Sequence, residues 1–147
     1  MKEVKVLHST GHHDVSWANV KIRETKEELH ENEILVKTAY TGICRSDIDM
    51  YYGSFGPLPV GMYGHEGIGT VIEIGKGLKD FTTINVGDFV ATCCDGGFSE
   101  YHNATKYIKV PELHPKFILE PVACAFNIIA SASILERVFK NQNILTF

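Results

Sequence analysis

The chain has 147 residues, 44% of them apolar and 22% charged, with a formal net charge of −4. That composition is ordinary for a globular protein with one real core. The mild acidity, with no basic stripe or finger spacing, sets aside a nucleic-acid partner. No apolar run has the ~18 residues of a membrane span.

The N-terminal "MKEVKVLHST" lacks the apolar centre of an export signal. The four cysteines, Cys44, Cys93, Cys94 and Cys124, form no C-x-x-C pair and no framework spacing. A reducing cytoplasm without disulfides is the expected setting.

Short β-branched runs fill the first ninety positions. "VKVLH" (4–8) reads as a strand. "WANVKIRE" alternates, with Trp17, Asn19, Lys21 and Arg23 on one face and Ala18, Val20 and Ile22 on the other. "KEELHENE" (26–33) reads as a solvated acidic turn, and "EILVKTAYTGI" (33–43) as a longer strand. "GTVIEIGKG" is a strand closed by Gly75 and Gly77. "VGDFVATC" follows, with Gly87-Asp88 as its turn. "GGFSEYHNA" and "KYIKVP" complete the series. Short strands divided by glycine turns predict a mainly β fold, an antiparallel barrel or sandwich.

The pattern changes after Pro111. "LEPVACAFNIIASASILERVF" (119–139) has helical length and no glycine, and Glu120-Pro121 suits a first helical turn. "KNQ" breaks the run, and "NILTF" starts like a buried strand. The expected division is a domain over 1–140 and the opening strand of another over 141–147.

Chemistry concentrates in three places. Cys44 lies in "TGICRSDID", and "GHEGIG" places His65 and Glu66 among glycines 21 positions beyond it. "LEPVAC" offers Glu120 and Cys124, one helical turn apart. A thiolate, an imidazole and a third acidic or thiol ligand make a catalytic zinc set with one position left for water or substrate. Each residue alone has a plainer reading. A cysteine after a strand is a small core residue. A loop His-Glu pair is solvated. Glu120 complements a helix dipole. Cys93 and Cys94 read as strand residues without function.

Together, "GICRSD" and "GHEGIGTVIEIGKGLKDFTTINVGDFV" resemble the N-terminal catalytic domain of the zinc-dependent medium-chain alcohol dehydrogenase family. The family's zinc signature is matched by Gly64, His65, Glu66, Gly69 and Gly75, with Leu78 a minor departure. The Gly87-Asp88 turn and "GGFSEY" also resemble it. The resemblance implies a GroES-like, partly open β-barrel with a C-terminal helix. It implies Cys44 and His65 as zinc ligands and Glu66 as a second-sphere residue or exchangeable ligand. Asp47 would fix the tautomer of the ligating histidine. Ser46 would take the proton of the substrate alcohol, and Arg45 would reach the cofactor pyrophosphate. "LEPVACAF" resembles the polyol and sugar branch, which favours Glu120 as third ligand over Cys124.

"ATCCDGGFSEY" follows the "GD-V" strand directly, leaving no room for the four-cysteine structural lobe that many members carry. One catalytic zinc and no structural zinc are therefore expected. Asp49 stands near the place where some members relay the proton through a histidine. No glycine-rich dinucleotide turn follows "NILTF", so NAD or NADP belongs to the full-length protein and residues 1–147 alone are not expected to turn over. The expected substrate is a small alcohol, polyol or sugar. Apolar surface around 121–139 predicts a homo-oligomer. Two other readings stand beside this one. One is a free-standing GroES-like binding domain with a vestigial metal site. The other is a zinc-free quinone or enone reductase, whose members usually lack the Cys44 and His65 pair.

Overall fold

A computed structural model describes residues 1–11, 13–54, 61–77, 84–94 and 96–110. The expected helix over 119–139, the strand at 143–147, Leu78, Glu120 and Cys124 lie outside the described residues. The described elements run β1 (Lys2–Gly11), β2 (Asp14–Ile22), β3 (Ile34–Thr41), α1 (Arg45–Tyr51), β4 (Gly61–Met62), β5 (Glu66–Ile74), β6 (Phe89–Cys93), β7 (Tyr101–Ala104) and β8 (Lys106–Lys109). Every pairing among these described strands is antiparallel.

β1 and β2 form a hairpin in register from Lys2 opposite Ile22 to Gly11 opposite Asp14, and β4 joins the free edge of β1. The alternation along β2 has the expected outcome: Trp17, Asn19 and Lys21 are exposed, while Ala18, Val20 and Ile22 turn inward.

The second sheet has the order β7-β3-β5-β6-β8. Its two edge strands are consecutive in the chain, with Thr105 alone between them. Laid flat, four inter-strand gaps of ~4.8 Å would part those edges by about 19 Å. Two peptide steps reach about 7 Å. The sheet therefore curls until its edges nearly meet, giving the half-closed barrel of the expected GroES-like fold. Two β-bulges in the β3–β5 ladder, at Leu35/Val36 and between Thr38 and Tyr40, help the curl.

Ile34, Val36, Val71, Val90, Cys94 and Ala104 form one buried apolar cluster. Leu35 joins Val4, Ile22 and Leu29 in another, which ties the two sheets together. Start-to-end burial of "ILV" explains why β3 shows no polar alternation there.

Two local expectations are corrected. "KEELHENE" is a turn, but not a solvated one at Leu29 and Glu33, which are both buried. The Glu33 carboxylate is gripped by Arg23 through Nε at 2.6 Å and an Nη at 2.7 Å, and it accepts the His30 N–H at 3.1 Å. Burial pushes its pKa up, but the guanidinium and the amide outweigh burial and hold it below the usual range. The second correction is α1, which strand periodicity left unassigned. Its start is a reciprocal cap: the Asp47 N–H donates to the Cys44 carbonyl at 3.1 Å, and the Cys44 N–H donates to Asp47 Oδ2 at 2.8 Å.

Candidate metal centre

The helix start is also the chemical site. Cys44 occupies the cap position with extended backbone, so its side chain leaves the chain just where strand gives way to helix. Asp47, one turn in, is 3% exposed. One of its carboxylate oxygens holds the Cys44 amide, and the other lies 3.0 Å from His65 Nδ1. A single carboxylate thus positions both residues that the sequence nominated as ligands. The Tyr63 hydroxyl donates to the Asp47 carbonyl and anchors the helix from below.

His65 precedes β5, and its backbone is clamped by the "GGF" segment. The N–H groups of Gly96 and Gly97 both donate to the Gly64 carbonyl at 3.0 Å, and the Cys94 N–H donates to the His65 carbonyl at 3.1 Å. Gly64 has φ +91°, and a Cβ there would lie 2.8 Å from the Phe98 ring, so this contact admits only glycine. Two glycine-rich motifs that look unrelated in the sequence are two halves of one clamp. Glu66 opens β5 and is fixed through its own carbonyl, which accepts the Thr41 hydroxyl at 2.6 Å.

The Cys44 sulfur, a His65 ring nitrogen and a Glu66 carboxylate oxygen all lie within 4.8 Å of one another. With Nδ1 committed to Asp47, Nε2 is the nitrogen left for the cluster; it lies 3.9 Å from Glu66 Oε1 and 3.3 Å from the Ser46 hydroxyl oxygen. Two metal–ligand bonds of at most ~2.3 Å span about 4.6 Å, so one divalent ion fits this spacing closely. Thiolate, imidazole and carboxylate together suit zinc.

Electrostatics favour ligation at the sulfur and set a condition at the ring. The Ser46 hydroxyl, then the Ser46 amide, hold the Cys44 thiol below its ordinary pKa, against the opposing effects of burial and the Glu66 charge. The hydrogen bond to Asp47 raises His65 to about 9, with burial opposing and Cys44 assisting. In the metal-free protein the imidazole is therefore protonated at neutral pH, and a metal must displace that proton.

A folded pKa above the unfolded value of ~6.5 stabilises the metal-free fold fully below pH 6.5, and the gain disappears as pH rises through about 9. The full gain is about 3 kcal/mol. Asp47→Asn is expected to flatten this pH dependence in urea denaturation of the metal-free protein and to weaken zinc binding by ~10–100-fold. An unchanged slope between pH 6 and pH 9.5 would count against the pairing.

Arg45 is mostly exposed and pairs with Asp49 across one helical turn at 2.9 Å. An open, apolar cleft of about 740 Å³ lies beside α1, lined by Leu7, Val15, Trp17, Ile48, Tyr63 and Phe98 among others. It reaches Asp47, and Cys44, Ser46, His65 and Glu66 are not among its lining residues. Sequence reasoning missed Thr41 and Tyr63, because a hydroxyl that binds a distant carbonyl leaves no local pattern.

Residues 30–112 match the family described as the alcohol dehydrogenase GroES-like domain. The chain belongs to that family. It is 32% identical over 142 residues to an alcohol dehydrogenase of Schizosaccharomyces pombe, covering 73% of this chain and 39% of the relative. A sorbitol dehydrogenase of Halalkalibacterium halodurans is 34% identical over 89 residues, 60% of this chain and 23% of the relative. The fold superposes on a quinone oxidoreductase from Coxiella burnetii with a TM-score of 0.59 at 20% identity, covering 76% of this chain and 38% of the other. The chain spans about two fifths of the length of the alcohol dehydrogenases it matches. Of the signature glycines read in the sequence, Gly64 belongs to the clamp, and Cys44 and Asp47 build the cap. Among the described residues, no helix is long and apolar enough to cross a membrane.

Proposed function

We propose that this GroES-like domain is the zinc-binding catalytic part of a cytoplasmic, oligomeric dehydrogenase that oxidises a small alcohol, polyol or sugar with NAD or NADP. The observation that carries the reading is the convergence of Cys44, His65 and Glu66 beside a buried aspartate. Cys44 and His65 would hold the ion, with Glu120 as third ligand and Cys124 as the alternative, and Glu66 close enough to exchange in. When bound, zinc supplies Lewis acidity that lowers the pKa of an alcohol oxygen.

The remaining roles belong to the chain itself. Asp47 fixes the His65 ring so that Nε2 faces the site. Ser46 would take the alcohol's proton; its hydroxyl, 3.3 Å from that nitrogen and within reach of a group bound there, supports the assignment. Arg45 is exposed enough to meet a cofactor pyrophosphate. Hydride transfer needs the nicotinamide carbon within ~3–3.5 Å of the alcohol carbon. That cofactor would be held by a further domain, beginning near 141–147, and residues 1–147 alone would not turn over.

The test is metal analysis of the purified polypeptide, paired with alcohol and polyol oxidation assays on the full-length protein before and after chelation. One zinc per chain and chelator-sensitive NAD(P)-dependent turnover are expected. A metal-free protein that reduces quinones or enones regardless of chelator would replace this reading with the zinc-free reductase.

A further inference from the structure

Inside the curled sheet, on the opposite side of β5 from the Glu66 side chain, lies a second polar constellation with no place in the chemistry above. His102, on β7, is 1% exposed. Its Nδ1 lies 2.9 Å from the Thr38 hydroxyl on β3, and its Nε2 lies 2.8 Å from the Thr92 hydroxyl on β6. Thr92 in turn donates to the Gly67 carbonyl on β5 at 3.1 Å. The Thr92 hydroxyl has one proton, and Gly67 receives it, so Thr92 must accept from His102. That fixes the ring as the Nε2–H tautomer, with Nδ1 accepting from Thr38. The chain of donors is closed, and it joins four strands of one sheet.

The ring also fills a space that the sequence keeps vacant. A Cβ on Gly67 would lie 2.8 Å from His102 Cε1 and 2.9 Å from Thr92 Oγ1. The imidazole therefore rests directly on the backbone of the residue that follows Glu66. Strand order makes the reach informative: β7 and β6 are separated by β3 and β5, so His102 spans the barrel interior as a cross-strut. Burial alone pushes its pKa down to about 4, so the ring is neutral across the physiological range.

We infer that His102 is a positioning residue for the metal centre, a neutral strut that sets the depth at which β5 presents His65 and Glu66 to Cys44. The inference rests on the metal-binding reading above. A core leucine could fill the same volume, but it could not tie Thr38, Thr92 and the Gly67 carbonyl at fixed distances. The precision of the donor cluster on one face of β5 is then inherited from the hydrogen bonds on the other face.

The experiment compares the 147-residue chain with Thr92→Val, Thr92→Ser and His102→Phe, using cobalt(II) as the probe. Two quantities are read: the visible d–d spectrum with its titrated affinity, and the backbone amide NMR shifts of His65 to Ile68 in the metal-free state. Thr92→Val is expected to weaken cobalt binding ~10-fold or more, alter the spectrum and move those shifts. Thr92→Ser, which keeps the hydroxyl, is expected to match the parent. Should His102→Phe not fold, the Thr92 pair decides alone. A Thr92→Val protein that is less stable yet binds cobalt with the parent's affinity and spectrum would show a merely structural role and overturn the inference. If the parent itself binds no cobalt, the metal-binding reading fails separately, and the His65 to Ile68 shifts alone judge the strut.

Discussion

Alanine at Cys44 or at His65 is expected to lower zinc affinity by more than ~100-fold. A complete four-ligand zinc site is worth ~10–16 kcal/mol, so an equal share per ligand is about 3 kcal/mol, somewhat over two orders of magnitude. The loss at Cys44 should exceed that share. Its thiol is held in a lowered-pKa state by Ser46, and no other described cysteine belongs to the donor cluster. Competition with a chromophoric chelator measures the effect. The informative controls are Cys93→Ser and Cys94→Ala. The Cys94 thiol packs with Ile34, Val36 and Val71 and is not among the donors, and the backbone N–H that Cys94 gives to the His65 carbonyl survives the substitution, so removing the thiol should cost stability and leave affinity near the parent's. Equal losses at Cys44 and Cys94 would mean that affinity merely follows folding, and the cluster would lose its meaning.

The pattern of what could be read in advance follows from the range of each interaction. Alternation in β2 and the glycine turns are local, and they translate into strands and an antiparallel barrel without further information. The grouping of Cys44, His65 and Glu66 was legible through a family resemblance and through residue chemistry, since a thiol, an imidazole and a carboxylate are the donor types a zinc site uses. The short helix α1 escaped because cysteine is a poor cap on propensity scales. What closes the cap is the backbone exchange with Asp47. Glu33 was misread as solvated because its partner Arg23 lies ten residues upstream, on a different element. His102 gave no signal at all: its partners Thr38 and Thr92 come from β3 and β6, and nothing in "EYHNA" marks the histidine as interior.

Gly69→Ala is expected to be among the most damaging single substitutions in the domain. A Cβ at this position would lie 2.1 Å from the Lys37 carbonyl oxygen and 2.9 Å from Val36 Cγ1. The first clash is with backbone, so no rotamer change relieves it. It arises because Gly69 sits opposite Thr38, at the edge of the bulge that leaves Ala39 unpaired, where β3 bends toward β5. Separation of the two strands by about 1 Å would break a ladder that runs from Ile34 opposite Ile74 to Thr41 opposite Gly67. Overpacking in a core costs ~1–3 kcal/mol where side chains can yield, and more is expected where backbone must. Against a total stability of ~5–15 kcal/mol, a loss of about 4 kcal/mol leaves a marginal fold. Gly87→Ala is the matched control. Gly87 has φ +94° with nothing within 4 Å of the added methyl, so only the backbone conformation resists, at about 1–2 kcal/mol. Urea denaturation of both variants separates the two causes. Because Gly69 lies three residues beyond Glu66 on the same strand, Gly69→Ala should lose metal affinity along with stability, whereas Gly87→Ala should lose stability only. Comparable, small losses in the two variants would show that β3 and β5 can move apart freely, and the rigid presentation of His65 and Glu66 would have to be abandoned.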